Sequence, residues 1–395
     1  MRRLSSAALI LLSAIIPLYG TLAVLDPSRP PIPPLVPAPV AVAIAALALA
    51  ALAATVPAAI RSARRDALTL ASFVPGAASM LSSLTGFDPP AGIGLSVFVL
   101  GFGGAGLALA RDADAVTARR CVRAFLWSAL AASLLALAMV VTQRPAALYA
   151  YDNGRAVGTF LNPNELAAFT LIGLGVAVPL AVGSRGSDRL ATLTALVLVV
   201  ALGMTFSRWG ALCAVGGVAV YALVGRARLL FVAALVVAVA GLGLNAWAGA
   251  LHHNPRDTES RAVAWRTGIT TILRFPLLGS GPLAFSRTYD ELRPPEGPGP
   301  RTPVAFDPHS LPIAFAAGGG ILALVTLTAS VTVLLRRVFR EARGARPLPR
   351  ALALGLAVGL IALILDCGIN TISIFFVLWL QVVPLALAVV RTDAL

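Results

Sequence analysis

One histidine of this chain is placed where it could act as a base. His309 follows Asp307 and Pro308 at the point where a long polar stretch meets an apolar run. Histidine titrates nearest neutral pH and is the usual general base. The alternative is an exposed loop histidine, but the position at a predicted membrane face favours catalysis. His252 and His253, at the other end of the stretch, are interpreted as interfacial residues.

Three arginines could bind a phosphate or diphosphate, because a guanidinium stays charged and presents a bidentate fork to phosphate oxygens. Arg208 lies in a very short turn between two apolar runs, and an ionisable side chain so close to a bilayer favours a function. Arg261 and Arg266 flank Trp265, and Arg261 and Trp265 share a helix face. The alternatives are snorkelling to lipid headgroups for Arg208 and loop solubility for the other two.

Further polar residues are candidates for substrate binding. Arg155 precedes a motif that starts at Gly158 and contains Asn164, which could instead cap the next helix. Asp366 is a lone acid at a predicted span boundary, where it could pair with an arginine or orient His309.

No metal site is predicted. Asp112-Ala113-Asp114 matches the Asp-x-Asp signature of nucleotide-sugar glycosyltransferases, but three residues match by chance often. The glycines from Gly101 to Gly106 lie within an apolar run and indicate close helix packing rather than a dinucleotide site. The cysteines lie in or beside apolar runs, without metal or disulfide spacing: Cys121, Cys213 and Cys367.

The elements that must position these residues are membrane helices. Hydrophobic residues make up 58% of the 395 residues and charged residues 12%, with a mean hydropathy of +0.88. Soluble proteins carry about twice that charged fraction. Repeated runs of membrane-spanning length predict an all-α, polytopic helix bundle in one integral membrane domain, 1–395. The predicted spans are 4–25, 37–60, 67–84, 91–110, 122–142, 164–183, 189–206, 209–225, 228–250, 310–335, 351–366 and 370–390.

Loop charges predict the orientation. The net charge of +14 comes from arginines scattered over short loops, which excludes a nucleic-acid footprint. Their bias predicts that both termini are cytoplasmic and that the first span is uncleaved. The large loop 251–309 then lies outside and holds all three histidines. Helical spacing of Trp265, Ile269, Ile272 and Phe275 predicts an ordered part at 261–289, whereas 294–303 is predicted to be mobile or extended.

Together these motifs resemble the O-antigen ligase and polymerase superfamily of bacterial surface polysaccharide assembly. The resemblance covers about 155–320 and rests on five features in order: Gly158-Thr159-Phe160 with Asn162-Pro163-Asn164, Ser207-Arg208, Arg261-x-x-x-Trp265, Pro276-Leu277-Leu278-Gly279-x-Gly281, and His309 before Gly318-Gly319-Gly320. The chain departs from the family at Ser310, where the family usually has Asn.

The resemblance implies a GT-C-like fold of about 12 helices in the bacterial inner membrane, with an active site facing the periplasm. It implies an inverting transfer of a glycan from undecaprenyl diphosphate to a lipid A–core hydroxyl, without metal, cofactor or nucleotide sugar. His309 would be the base, and Arg208 and Arg261 would hold the diphosphate. Arg266, Arg155, Asn164 and Asp366 would bind substrate.

Two alternatives stay open. A polymerase of the same superfamily would extend the carrier-linked glycan, but no Arg-x10-Gly pattern starts at the outer-loop arginines: Arg155, Arg256, Arg261, Arg266 and Arg287. A transporter or lipid flippase would carry charges through its spans and often broken helices at mid-membrane. The concentration of polar residues in one loop favours an enzyme. A different acceptor, such as a pilin serine, also remains open.

Overall fold

The structure is a computed structural model that describes residues 2–15, 67–144, 154–160, 163–183, 188–225, 243, 256–295, 308, 310–344, 352 and 355. These residues form helices joined by turns, with no strand among them. The helices are α1 (Arg2–Ile15), α2 (Ala67–Thr85), α3 (Pro89–Asp112), α4 (Ala115–Thr142), α5 (Pro163–Gly183), α6 (Arg189–Met204), α7 (Arg208–Gly225), α8 (Arg256–Arg274), α9 (Phe285–Leu292) and α10 (Leu311–Gly344), and a 3₁₀ turn covers Gly158–Phe160.

The predicted all-α membrane class agrees with this part of the chain. Four of the described helices are long and apolar enough to cross a bilayer: Ala67–Thr85, Ala115–Thr142, Pro163–Val182 and Leu311–Arg337. Predicted spans 37–60, 228–250, 351–366 and 370–390 lie outside the continuously described residues, as does segment 296–303. The total of about 12 spans and the side on which loop 251–309 lies therefore stay predictions.

Helix α4 extends seven residues before the predicted span 122–142. Helix α4 begins at Ala115 because Asp114 caps it, its carboxylate accepting a 2.7 Å hydrogen bond from the backbone N–H of Thr117. That backbone hydrogen bond, with further help from the Thr117 side chain and Arg120, holds the pKa of Asp114 below its usual value. Asp114 thus has a structural task, which agrees with the rejection of the Asp-x-Asp match.

The described helices pack in two sets. Helices α1, α4, α5, α6 and α7 pack on one another with the 3₁₀ turn, and α2, α3, α8 and α9 are joined through contacts with α10 or with each other. In the first set, the ring centroid of Phe169 lies 4.7 Å from that of Phe160 and 6.3 Å from that of Phe125. This aromatic cluster fixes the 3₁₀ turn between α4 and α5.

Close packing by glycine, predicted for the run from Gly101 to Gly106, is confirmed in the second set. A Cβ at Gly103 would lie 2.1 Å from the carbonyl oxygen of Ser72, so only glycine lets α3 approach α2 at that point. Helix α10 packs on α2, one member of this close pair.

Candidate functional site

Arg208 lies at the start of α7, directly after a three-residue turn. Helix α6 ends at Met204, and Phe206 adopts a left-handed φ of 46° to reverse the chain. The hydroxyl of Ser207 then caps α7 by accepting a 3.1 Å hydrogen bond from the N–H of Gly210. The Arg208 side chain is exposed at this helix start. The sequence prediction of an arginine on a very short turn is confirmed.

Arg155 holds this turn from the neighbouring segment. Its Nε donates a 2.8 Å hydrogen bond to the carbonyl oxygen of Thr205, and its Nη2 donates a 3.3 Å hydrogen bond to Oδ1 of Asn164. The backbone N–H of Ala156 donates to the carbonyl oxygen of Met204 at 2.8 Å. The carbonyls at the end of α6 have no helical partner of their own, so Arg155 and Ala156 satisfy two of them.

The segment that carries Arg155 is anchored by its own motif. Gly158 has a φ of 56°, and a Cβ there would lie 2.9 Å from the Cβ of Ala136 on α4. Val157 and Phe160 are fully buried beside it. Helix α5 begins at Pro163, so Asn164 lies in its first turn and uses its side chain on Arg155. The structure therefore links Arg155, Asn164 and the turn before Arg208 into one unit, which we call the arginine clamp.

Helix α8 confirms the ordered segment predicted in the large loop, but it packs through a different face from Trp265 and Ile269. Trp265 is 45% exposed and Ile269 51% exposed. The side that packs on α10 and α9 is built around four buried small residues, with the partly buried Val263 and Ile272 packed beside them: Ala264, Thr267, Gly268 and Thr271. A Cβ at Gly268 would lie 2.4 Å from Cγ2 of Ile313, so the two helices are in direct contact there.

This packing separates the two arginines of α8. Arg261 precedes Gly268 by seven residues, which is about two helical turns, so both point to nearly the same side. Arg261 is accordingly half-buried, whereas Arg266 is exposed on the opposite side. Of the pair that the sequence could not separate, Arg261 is the one at the edge of the packed face, between Gly268 and the exposed Trp265.

The turn after α8 forms hydrogen bonds with α10 at a break in that helix. Gly320 interrupts α10 with φ 65° and ψ −165°, which removes the helical bonds around it. The N–H groups of Ser280 and Gly281 donate to the carbonyls of Ala317 and Gly318, both at 2.9 Å. In return, Ile321 and Leu322 donate their N–H groups to the carbonyls of Pro276 and Leu277, at 2.8 and 3.4 Å.

We call this four-bond arrangement the backbone lock. It explains both glycine motifs of the sequence by close approach. A Cβ at Gly279 would lie 2.4 Å from the carbonyl carbon of Gly318, and one at Gly320 would lie 2.3 Å from the carbonyl of Leu277. Ser82 of α2 adds hydrogen bonds from its hydroxyl to the carbonyl of Gly318, at 2.8 Å, and to that of Leu278. The lock fixes α8, and hence Arg261, relative to α10.

His309 and Asp366 lie outside the described residues. The neighbours of His309 are described: Pro308 is buried, and a Cβ at Gly268 would come within 3.7 Å of its Cβ. The carbonyl of Ser310 accepts a 2.8 Å hydrogen bond from the N–H of Ala314 in the first turn of α10. The predicted base is therefore adjacent in sequence to a residue that α8 touches. Convergence of His309, Arg208 and Arg261 stays a prediction.

Sequence reasoning missed the residues that do the positioning. The carbonyl of Thr205 and the backbone groups of the lock carry no side-chain signal. Ser82 lies in an apolar run far from any motif, and its partners are 196 and 236 residues away. The small residues at 264, 267, 268 and 271 did carry a signal, because such spacing is typical of close helix contacts in membranes.

A comparison with protein families finds that residues 193–328 are similar to the family described as O-Antigen ligase. The match confirms the resemblance to the O-antigen ligase and polymerase superfamily. It contains Arg208, Arg261, Arg266 and His309, whereas Arg155, Asn164 and Asp366 lie outside it. A search of curated proteins finds no match.

Proposed function

We propose that this chain belongs to the O-antigen ligase and polymerase superfamily and is a glycan ligase of the bacterial inner membrane. It transfers a glycan from undecaprenyl diphosphate to a hydroxyl of lipid A–core at the periplasmic face. The observation that carries the proposal is the family match over 193–328, because that stretch holds the proposed base and both proposed diphosphate-binding arginines. Four apolar helices of membrane-spanning length support a membrane setting for such lipid-linked substrates.

The proposed step is a single inverting displacement. The acceptor oxygen attacks the anomeric carbon while the bond from that carbon to the diphosphate oxygen breaks. His309 takes the acceptor proton, and the leaving diphosphate keeps the bonding electron pair. Arg208 and Arg261 bind the diphosphate and stabilise its charge, the task that a divalent cation has in other transferases. Asp366 orients His309 or pairs with an arginine.

The two residues of the clamp take a different role in this proposal from the substrate contact that the sequence suggested. Arg155 has Nε and Nη2 donating to Thr205 and Asn164, so it acts on the donor lipid through the turn that carries Arg208. Arg261 is preferred over Arg266 for the diphosphate because it shares the face of α8 that touches α10 beside His309.

The test is glycan transfer in liposomes that contain the purified full-length protein, undecaprenyl-diphosphate-linked glycan and lipid A–core. We expect product with the wild type in the presence of a divalent-metal chelator, and a loss of about 10²–10⁴-fold in His309→Ala. His252→Ala is the matched control and should keep full activity. Arg261→Ala should lose activity and Arg266→Ala should retain most of it.

Three other outcomes would overturn the proposal. Growth of the carrier-linked glycan without product on lipid A–core would identify a polymerase. Full activity of His309→Ala would remove the proposed base. Movement of the lipid-linked glycan across the bilayer, with no transfer to any acceptor, would indicate a flippase or transporter.

A further inference from the structure

An apolar stripe follows the exposed side of α8 and continues into the turn after it. Its members are four residues apart, and their exposed fractions are 45% for Trp265, 51% for Ile269, 76% for Leu273 and 70% for Leu277. The helix packs on α9 and α10 through a different face, which carries small residues with the partly buried Val263 and Ile272. Contiguous exposed apolar side chains of this size indicate a surface that contacts lipid or another protein rather than water.

The stripe is continuous with the exposed surface of a membrane span. The carbonyl of Leu277 accepts a 3.4 Å hydrogen bond from the N–H of Leu322, so the turn lies directly against α10. On α10, Ile321 is 51% exposed and Val325 56% exposed. Residues 311–337 of α10 are long and apolar enough to cross a bilayer, and side chains exposed on such a span are expected to face its hydrocarbon. The apolar surface therefore runs without interruption from α10 onto α8.

The depth of the lock follows from the length of α10. From Gly320 to the exposed Arg336, the helix is about 24 Å long at 1.5 Å per residue. The hydrocarbon core is about 30 Å thick. If Arg336 marks one boundary, Gly320 and the turn locked to it lie roughly 6 Å inside the other boundary. Irregular backbone at that depth is permitted because the lock satisfies its polar groups within the protein.

Helix α8 reaches this depth from the water side. Gly268 contacts Ile313 near the start of α10, and Leu277 lies against the kink at Gly320, so both helices run in the same direction. Each four-residue step back from Leu277 moves about 6 Å towards water. Leu273 then lies at the hydrocarbon boundary, and Ile269 and Trp265 lie in the headgroup region, where tryptophan is enriched.

The charged residues of α8 agree with this placement. Arg266 is exposed on the same side as Ile269 and Leu273, three and seven residues before them, which puts its guanidinium at the level of headgroup phosphates. Arg274 is also exposed, lies 5.7 Å above the ring of Phe275, and is near enough to the boundary for its long side chain to reach the headgroups.

We infer that α8, the locked turn and α9 form a re-entrant hairpin, in which residues 268–284 enter the membrane and the stripe from Trp265 to Leu277 faces its lipids. The occupant of the stripe is the acyl chains of the adjacent leaflet, with headgroup phosphates at Arg266. Segment 296–303, which follows α9 closely in sequence, has no large apolar side chain that could cover the stripe. The inference does not depend on glycan transfer.

The test measures the surroundings of single nitroxide labels by electron paramagnetic resonance. The full-length protein, with its three native cysteines replaced by alanine, is placed in liposomes of phosphatidylethanolamine and phosphatidylglycerol. Ile269→Cys carries the label at the shallow end of the stripe, and Leu273→Cys or Leu277→Cys carries it deeper. Molecular oxygen concentrates in hydrocarbon, whereas a nickel chelate stays in water. Val325→Cys is the lipid-facing control and Glu291→Cys the exposed polar control on α9.

We expect the ratio of oxygen to nickel accessibility at Leu277 to lie well above that of Glu291 and below that of Val325, which is roughly 7 Å deeper, and to fall at Leu273 and again at Ile269. A ratio at Leu277 equal to that of Glu291 would overturn the inference, because the stripe would face water. Exclusion of both reagents would overturn it too, because protein would then cover the stripe. If Leu277→Cys fails to fold, Leu273→Cys, away from the lock, decides between the same outcomes.

Discussion

Replacement of Gly320 by alanine tests the backbone lock most directly. Gly320 has φ 65° and ψ −165°, a region that is essentially restricted to glycine. The new Cβ would lie 2.3 Å from the carbonyl of Leu277, where an ordinary contact begins near 3.4 Å. The turn must therefore retreat by roughly 1 Å, which breaks the hydrogen bonds from Ile321 and Leu322 to the turn.

The expected decrease in the free energy of unfolding follows from these contacts. Loss of one of the two bonds leaves a donor and an acceptor unpaired at a depth that the proposed hairpin places inside the bilayer, at about 1–3 kcal/mol each. The strained backbone adds about 1–3 kcal/mol. The free energy of unfolding should thus fall by at least about 3 kcal/mol, a large part of the roughly 5–15 kcal/mol that holds a typical protein. Glycan transfer should fall with it, because α8 carries Arg261.

The assay is thermal unfolding of the full-length protein in detergent, with Gly216→Ala as the matched control. Gly216 is exposed within α7, and a Cβ there meets nothing within 4 Å. Alanine is favoured over glycine inside a helix by about 0.5–1 kcal/mol, so this control should unfold at the wild-type midpoint or above it. A midpoint for Gly320→Ala at or above that of Gly216→Ala would refute the reasoning about the lock.

Three further predictions concern the clamp, the support of the lock and the pH range. Arg155→Lys should lower kcat for glycan transfer by about 10–100-fold with little change in KM, because a lysine cannot serve both Thr205 and Asn164 and Arg208 would shift; an unchanged kcat would argue against positioning. Ser82→Ala should lower the free energy of unfolding by about 0.5–1.5 kcal/mol, since its hydroxyl donates to the carbonyl of Gly318; chemical unfolding against Thr142→Ala, an exposed hydroxyl on α4, measures it. Burial raises the pKa of Tyr289, with Asp290 adding to the rise and Arg293 opposing it. The stabilising effect of neutral Tyr289 is complete below its usual pKa of about 10 and is lost as pH rises through the higher value in the folded protein. Melting temperature between about pH 8 and 11 should therefore fall more steeply for the wild type than for Tyr289→Phe.

The positions of the described apolar helices could be predicted from the sequence, because long apolar runs admit few alternatives. Where the runs ended at polar residues, the helix bounds depended on caps, so Asp114 moved the start of α4 beyond the apolar pattern. The face of α8 could not be predicted from hydrophobicity. Trp265 and Ile269 look like core residues in a soluble protein, yet close packing in a membrane selects small residues such as Gly268.

The residues of the candidate site could be predicted where a charged side chain lies at a predicted membrane boundary. They could not be predicted where backbone hydrogen bonds position them. Arg208 stood out because a cation on a short turn at a membrane is costly. The residue that supports Arg208 did not stand out in the sequence. Arg155 donates to the backbone carbonyl oxygen of Thr205, and every residue has such a carbonyl. The glycines of 279–281 and 318–320 were visible as motifs, but their meaning required the pairing of two segments about 40 residues apart, which only the fold supplies.

The arginines of the candidate site differ in their hydrogen-bond partners and in their exposure, and these differences suggest different roles. Two donor groups of Arg155 are directed at protein acceptors, which makes it a support for the turn. Arg208 is exposed at a helix start, where backbone N–H groups add to the attraction for an anion. Arg261 and Arg266 differ by five residues, which on a helix places them on different sides. The lock fixes which side of α8 meets α10, and this is the basis on which we propose Arg261 for the diphosphate and Arg266 for the lipid surface. In this proposal one structural device separates substrate recognition from membrane contact on a single helix.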